Sequence, residues 1–345
     1  WQSFFPMSFK TKFFRILNPI TKTISFERFS TKLPFRDLIL VYHLVSDDDL
    51  KHVKHLFPYR SATQFENDLD FLRRHFEFVD WNTFLKNKIE KVKTKKPTIL
   101  LTFDDGYSEF YDVIVPILKR KGIYAINFIN PKFIDNKDLM WRNKASLIVS
   151  ELKENRALQN KISGFQNFGT DLKSNINSIL KINFKNQDQL NEIAQHLEID
   201  FDHYLNKNQV YLTTEQLKKL KNDGFGISSH GWNHPLYNQL SLSEQLENTQ
   251  KSLDFMNENQ FLNDSFAFPF TDHLVTNEFF DSIFNQNPDL KFTLGAAGLK
   301  LDSYAKNLQR IPVEIGNDSA EEILKNEIFY YQLLKKFNKN KIIRS

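Results

Sequence analysis

Two acidic residues end one apolar run of this sequence. Asp104 and Asp105 directly follow the apolar stretch 98–103, and Gly106 permits a sharp turn of the backbone behind them. Neighbouring residues of an extended chain point in different directions, so these carboxylates are poorly placed as an acid/base pair on one glycosidic bond. Separate tasks suit them better: one carboxylate could hold a metal ion while the other handles a proton. The alternative is a strand end followed by an aspartate that caps a helix.

Two histidines follow a later apolar run. His230 and His234 lie four residues apart within the segment 228–235. Neutral imidazoles combined with a carboxylate form the ligand sets of catalytic zinc and related sites. This spacing alone has low specificity, because two exposed histidines on a helix share it, but Pro235 disfavours a mid-helix position for His234. The acidic and the histidine-rich strand ends together predict one metal-dependent site.

Alternating strands and helices would bring these residues together. Helices between strands predict a parallel sheet, whose chemistry gathers at the carboxyl ends of the strands. The segment from about 135 to 210 is rich in Asn, Lys and Gln and predicts a helical insertion. Apolar runs predict strands at 38–43, 98–103, 124–130, 225–230, 265–270 and 291–297, and amphipathic stretches predict helices at 61–76, 107–122, 213–224 and 243–256.

Composition narrows the classes of function. The chain has 345 residues, enough for one large catalytic domain, and a small net charge of +4. Its basic stretches at 90–96 and 335–341 are typical of a solvated loop and tail, so nucleic-acid binding is not the leading hypothesis. The absence of cysteine excludes disulfides, zinc–thiolate sites and a cysteine nucleophile.

The N-terminal segment leaves two interpretations open. No stretch approaches the roughly 20 apolar residues of a membrane helix, and residues 1–20 lack the apolar centre of a signal peptide. From Met7 onward the segment is basic and aromatic, which would suit contact with a membrane surface; a mobile or packed arm is the alternative. Because a signal-peptide pattern is not seen, we expect the protein to act in the cytoplasm on a sugar precursor or a lipid-linked intermediate.

Five segments of the sequence, taken together, match the pattern of a known family. They are, in order, 39–45, 62–79, 101–107, 226–235 and 265–270. They resemble the polysaccharide deacetylase family of carbohydrate esterases, which includes chitooligosaccharide and peptidoglycan deacetylases. The resemblance implies a distorted (β/α) barrel with a helical insertion. It implies a catalytic domain over residues 37–315, with an N-terminal arm at 1–36 and a C-terminal helix and basic tail at 316–345.

The same resemblance implies a metal-dependent hydrolase that removes N-acetyl, or O-acetyl, groups from a glycan. Asp104 would be the base that takes a proton from the attacking water, while Tyr107 and the backbone N–H near Phe270 would contact the substrate or its oxyanion. The substrate would be an N-acetylated glycan or a lipid- or nucleotide-linked sugar. The metal, zinc first and cobalt or another transition metal otherwise, would bind to Asp105, His230 and His234.

The segment 265–270 departs from the family pattern. An arginine that steadies the catalytic aspartate is replaced by Ala267, and a tyrosine is replaced by Phe270. Arg142 and Arg310 are the candidates to replace the arginine. Gly231 also stands where the family commonly has Ser or Thr.

The general acid is not obvious either, because the family's late Leu-x-His motif is missing. His273, three residues after Phe270, is the first candidate to protonate the leaving amine, and His43 at the end of the first strand is the competitor. Without a working acid, the chain would be a glycan-binding pseudoenzyme. A Mg²⁺-dependent phosphotransferase with Asp104 as nucleophile is a third hypothesis, but Mg²⁺ prefers oxygen ligands and would not explain the two histidines.

Overall fold

The computed structural model describes residues 9–92 and 94–345, and its centre is a parallel sheet curled into a nearly closed barrel. The strand order around the barrel is β10-β1-β3-β4-β5-β6-β7-β9, where the strands are β1 Asp37–Tyr42, β2 Glu77–Phe78, β3 Thr98–Asp104, β4 Ala125–Ile129, β5 Gly226–Ser229, β6 Ser265–Ala267, β7 Phe292–Gly295, β8 Leu301–Asp302, β9 Asn307–Gln309, β10 Ile311–Pro312 and β11 Lys341–Ile342. Outside that order, β2 pairs with β3 and β11 with β8. The predicted (β/α) barrel is confirmed.

One short segment, 307–312, closes the barrel. Its first half, β9, pairs with β7, and its second half, β10, pairs with β1. Arg310 lies between the two halves. We call this segment the seam; it bonds to both ends of the sheet and sets Arg310 against the barrel interior, where its side chain is fully buried.

The central strands are apolar because helices cover them. All residues of β3 and of β4 are buried, as is usual for parallel strands with both faces covered. The predicted strand 265–270 is shorter than expected and ends at Ala267. Pro269 has no N–H to donate to a neighbouring strand, and Phe270 adopts a left-handed φ of 57°.

Helices connect the strands and pack around them. Four of them begin with capping boxes, at Ser61, Thr213, Ser241 and Ser319. The α-helices are α1 Phe9–Lys22, α2 Phe26–Ser30, α3 Ala62–His75, α4 Trp81–Glu90, α5 Val115–Lys121, α6 Trp141–Glu154, α7 Arg156–Ile162, α8 Leu172–Lys181, α9 Asp188–Leu197, α10 Phe201–Lys207, α11 Thr214–Asn222, α12 Leu242–Glu258, α13 Asn277–Gln286 and α14 Ala320–Lys336. A π-helical turn, Phe110–Ile114, precedes α5, and 3₁₀ turns lie at Pro131–Asn136, Phe184–Asn186 and Tyr237–Gln239.

The helical insertion is present between β4 and β5, where α6 to α10 lie. These helices have their own apolar core, which includes Leu147, Ile148 and Ile193. The insertion also reaches the barrel, because Trp141 Nε1 donates to the backbone oxygen of His234 at 3.2 Å. It is therefore one wall of the barrel's carboxyl end.

Both terminal segments pack on the barrel. Helix α1 packs against α14 and buries Phe14 and Leu17, so the described part of the N-terminal arm is a packed element. The basic stretch 335–341 is largely exposed, as predicted, but the residues around and after it pack on the barrel, since β11 pairs with β8 and Arg344 is buried. Among the described residues, no helix is long and apolar enough to span a bilayer.

Candidate metal centre and active site

Asp105, His230 and His234 converge at the carboxyl end of the barrel. Nε2 of His230 lies 3.5 Å and Nε2 of His234 lies 3.1 Å from Oδ1 of Asp105. The three side chains are buried, and one potential ligand atom from each lies within 4.8 Å of the others. Asp105 and His234 have left-handed φ values of 74° and 57°, which aim these side chains away from a regular strand path. Such conformations often occur at functional sites.

The atoms of this cluster fit a cation. His230 Nδ1 lies 2.9 Å from the backbone oxygen of Ala267, so a neutral His230 carries its proton there and turns the lone pair of Nε2 to the cluster. Oδ1 of Asp105 is buried, and within the described structure no hydrogen bond of regular geometry reaches it, although the Nε2 atoms of both histidines lie close to it. A buried carboxylate oxygen that faces imidazole nitrogens needs a shared positive charge. The three residues can therefore hold a divalent metal.

The pKa shifts favour the ligand forms of two of these groups. Burial would raise the pKa of Asp105, but its close contacts with His234 and His230 hold that pKa well below its usual range. Burial lowers the pKa of His234 and favours the neutral imidazole. An ionised carboxylate and a neutral imidazole are the forms that bind metals.

Asp104 is held by Arg310 at the seam. Arg310 Nη1 and Nη2 donate to Oδ1 and Oδ2 of Asp104 at 2.6 and 2.7 Å. Burial would raise the pKa of Asp104, but the charge of Arg310 and then that of His230 lower it. Asp104 also keeps one oxygen near the metal cluster, since its Oδ2 lies 3.6 Å from His230 Nε2. It is therefore an ionised carboxylate in a fixed orientation beside the cluster.

Of the two candidate arginines, only Arg310 contacts Asp104. Arg142 lies in the insertion, where its Nη1 donates to the backbone oxygen of Leu180 at 2.8 Å and its guanidinium lies over the ring of Trp141. Burial lowers the pKa of Arg142 to about 10.

A cavity of about 520 Å³ opens onto this site. Its lining combines apolar surface with the groups that could act on a substrate, namely Asp104, Arg310, His43, Glu314, Phe270 and His273. This size is in the range of sites that bind small ligands.

Comparison with known proteins agrees with this geometry. The polysaccharide deacetylase family matches residues 91–276. The chain belongs to the polysaccharide deacetylase family. No curated protein matches it.

Solved deacetylase structures share its fold at low sequence identity. The deacetylase PplD of Streptococcus pyogenes, in complex with acetate, is 17% identical with a TM-score of 0.53, over 84% of this chain and 97% of that one. IcaB of Ammonifex degensii is 15% identical with a TM-score of 0.52, over 85% and 97%. A de-N-acetylase of Aggregatibacter actinomycetemcomitans is 15% identical with a TM-score of 0.53, over 84% and 99%.

Within this deacetylase-family site, the two predicted substrate contacts lie in different places. Phe270 lines the cavity, and its ring packs edge-on to His234 at 4.3 Å between centroids. The side chain of Tyr107 is buried instead against the insertion: it stacks on Tyr211, and its hydroxyl accepts from Asn143 at 3.0 Å. Any contact of Tyr107 with substrate would therefore use its backbone.

The two candidate acids also differ in their surroundings. His43 is buried, and its Nδ1 lies 2.7 Å from Oε2 of Glu314, whose carboxylate also accepts from the backbone N–H groups of His43 and Leu44. Burial would lower the pKa of His43, but the hydrogen bond and charge of Glu314, with the charges of Asp105 and Asp104, raise it to about 8. His273 is an exposed residue of the cavity lining.

Two positioning residues were missed from the sequence. Glu314 orients His43 from just beyond the seam, and Asn130 braces the histidine loop by donating to the backbone oxygens of His230 and Gly231 at 2.6 and 3.0 Å. Asn130 is the last residue of the predicted strand 124–130, which was the signal available for it, whereas no predicted strand leads to Glu314. Gly231 itself has a φ of 75°, and a Cβ there would lie 2.9 Å from Oδ1 of Asn248, which accounts for glycine at this position.

Proposed function

We propose that this protein is a metal-dependent hydrolase that removes N-acetyl, or O-acetyl, groups from a glycan or a glycan precursor. The observation that carries the proposal is the position of the Arg310-bound Asp104 beside the buried Asp105, His230 and His234, at a cavity large enough for a sugar. Family membership supports the acetylated glycan as the substrate class.

Asp105, His230 and His234 would hold the metal, and we propose zinc, since two imidazoles and one carboxylate are a common set in catalytic zinc sites. Cobalt and other transition metals would fit the same donors. When bound, the metal acidifies water and polarises the acetyl carbonyl.

Asp104 would act as the general base. Its charge is maintained by Arg310, so at neutral pH it can accept a proton from water at an oxygen that points to the cluster. The bidentate contact with Arg310 prevents Asp104 from rotating away. The backbone N–H of Phe270 would donate to the oxyanion of the tetrahedral intermediate.

The leaving amine needs a proton, and we favour His43 as its donor. With Nδ1 bonded to Glu314, His43 carries its transferable proton on Nε2, and a pKa of about 8 keeps it protonated at neutral pH. His273, which lines the same cavity at the surface, is the second proposal for this role.

Acetate release from a panel of N-acetylated glycans, lipid-linked sugars and nucleotide sugars tests the function. We expect release that is lost on chelation and restored by zinc or cobalt, and we expect Asp104→Asn to abolish turnover while the metal stays bound. Absence of acetate release by a metal-loaded, folded protein across the panel would favour the glycan-binding pseudoenzyme instead. Near wild-type turnover in Asp104→Asn would assign the base to another residue.

A further inference from the structure

Helix α1 has more apolar surface than its packing uses. Its inner face, with Phe14 at 1% and Leu17 at 8% exposed, is buried against the rest of the molecule. On the other side, Ile16 and Ile20 are 72% and 60% exposed. Large aliphatic side chains exposed to this extent on one helix face mark an interaction surface when they continue into neighbouring apolar groups.

The surface does continue onto α14. The ring of Phe13, one turn before Ile16, lies 6.4 Å from the ring of Phe329, which is itself 41% exposed. We call the surface formed by the half-buried Phe13 and the exposed Ile16, Ile20 and Phe329 the outer face. Residues 13, 16 and 20 follow helical spacing, so they lie along a single stripe.

Helix α1 contributes only positive charge to the outer face. Residues 1–26 contain four basic residues and no acidic residue. Two of the four are engaged in ion pairs, Lys10 with Glu327 and Lys22 with Glu322. Lys12 and Arg15 are exposed on α1 itself.

We propose that the outer face of α1 docks on an anionic lipid bilayer. An exposed apolar stripe flanked by Lys and Arg is the pattern of a helix that lies in the membrane interface. Anionic headgroups complement Lys12 and Arg15, whereas a second copy of this face would bring like charges together. The proposal does not depend on the reaction proposed above.

Docking would have a consequence for the active site. Lys10 and Phe14, on the inner side of the same helix, line the cavity that contains Asp104. Lys10 is fixed there by Glu327 and by the backbone oxygen of Ala297, to which it donates at 3.0 Å. A docked α1 would place the cavity wall within about 10 Å, one helix diameter, of the lipid surface. A substrate carried on a lipid would then be close to the site.

Co-sedimentation of the full chain with vesicles tests the proposal. We expect binding to vesicles of phosphatidylcholine mixed with phosphatidylglycerol, and weak binding to phosphatidylcholine alone. The double variant Ile16→Asp/Ile20→Asp should bind the anionic vesicles at least about tenfold less, because the apolar stripe is lost and carboxylates are repelled by the anionic headgroups. Lys12→Gln/Arg15→Gln should lose roughly fivefold per residue at low salt and become insensitive to the anionic lipid.

A matched control is Ile89→Asp on α4, since Ile89 is 62% exposed and α4 packs on β1 and β3 rather than on α1. It should bind vesicles as the wild type does, and the thermal unfolding midpoints of all variants should confirm folding. Wild-type protein that stays in the supernatant with anionic vesicles at low salt overturns the proposal. So does a dimer in sedimentation velocity that Ile16→Asp/Ile20→Asp dissociates while vesicles bind neither form, because the face would then belong to a second copy.

Discussion

Arg310 and Asp104 form a buried, bidentate ion pair between the barrel seam and the end of β3, with nitrogen–oxygen distances of 2.6 and 2.7 Å. Arg310 also donates from Nε to the backbone oxygen of Gly295 at 3.2 Å, which fixes the guanidinium plane. The position where the resemblance leads one to expect an arginine holds Ala267, whose backbone oxygen contacts His230 instead. A different strand therefore supplies the same charge to the proposed base.

Removal of that charge should change the pH dependence of turnover. In Arg310→Met, burial of Asp104 is no longer offset, so its pKa rises from its present lowered value. We expect the acidic limb of the kcat/KM profile to move to higher pH and the free energy of unfolding to fall by about 3–5 kcal/mol, as for a buried pair that loses one partner. Acetate release across pH and urea unfolding would measure both.

The size of this stabilisation depends on pH. In the wild type, the lowered pKa means that Asp104 stabilises the fold above its unfolded pKa near 3.9, and that this contribution is lost as the pH falls through the lower folded value. Arg142→Met is the matched control, because Arg142 is also buried but contacts Leu180 and Trp141. It should lower stability without moving the acidic limb; an equal shift in both variants would contradict a specific role for Arg310.

Tightly bound metal should depend on the two histidines of the cluster. His230→Ala/His234→Ala should remain folded but lose tightly bound metal, because two of the three converging donors are removed. Metal analysis after gel filtration would give the stoichiometry. His273→Ala is the control, since His273 is an exposed residue of the cavity rim. An unchanged metal content in the double variant would place the metal elsewhere.

The fold could be predicted from the sequence because its signals are local. The apolar run of β3, followed by Asp104 and Asp105, indicates both a buried strand and its functional end. Pro235 disfavoured a mid-helix position for His234, and the structure agrees, since the φ of His234 is 57°. Each of these inferences needed only neighbouring residues.

What the sequence could not provide was the pairing of distant segments. Arg310 and Asp104 are 206 positions apart, and only closure of the barrel at the seam selects Arg310 over Arg142. His43 and Glu314, 271 positions apart, meet for the same reason. A single sequence contains no signal of such contacts.

Arg344 should support the loop that lines the active-site cavity. Arg344 donates to the backbone oxygen of Asp272 at 2.6 Å and to Oδ2 of Asp302 at 2.6 Å, and it also contacts the Asp272 carboxylate. Asp272 lies between Phe270 and His273 in the loop that lines the cavity. Arg344→Ala should therefore lower the free energy of unfolding by about 3–5 kcal/mol, because it leaves two buried carboxylates without their cation. It should also lower kcat, because the loop that lines the cavity loses its support.

Thermal unfolding and steady-state kinetics would measure these effects, with Arg36→Ala as the control. Arg36 donates to the exposed backbone oxygens of Thr94 and Lys95, so its loss should cost little. Arg344→Lys should recover much of the stability but less of kcat, because a single ammonium cannot reproduce the forked contact. Full activity of Arg344→Ala below its unfolding midpoint would limit Arg344 to a structural role.

The general acid can be identified by comparing substrates whose leaving groups differ in their need for a proton. Collapse of the tetrahedral intermediate expels an amine, which leaves poorly unless it is protonated, whereas an aryl acetate releases a phenolate that needs no proton. If His43 is the donor, His43→Ala should lower turnover on amides by roughly 10²- to 10⁴-fold and turnover on the aryl acetate much less. Glu314→Gln should give a smaller loss and move the basic limb of the amide profile to lower pH, because the charge that raises the pKa of His43 to about 8 is gone.

The same comparison with His273→Ala decides between the two histidines. We expect little change on either substrate, since His273 is exposed and its backbone N–H bonds locally to Oγ1 of Thr271 at 3.1 Å. A loss confined to amides in His273→Ala, with His43→Ala unaffected, would reverse the assignment. Equal losses on amide and ester in His43→Ala would show that His43 and Glu314 support the shape of the cavity, because a structural defect does not distinguish one leaving group from another.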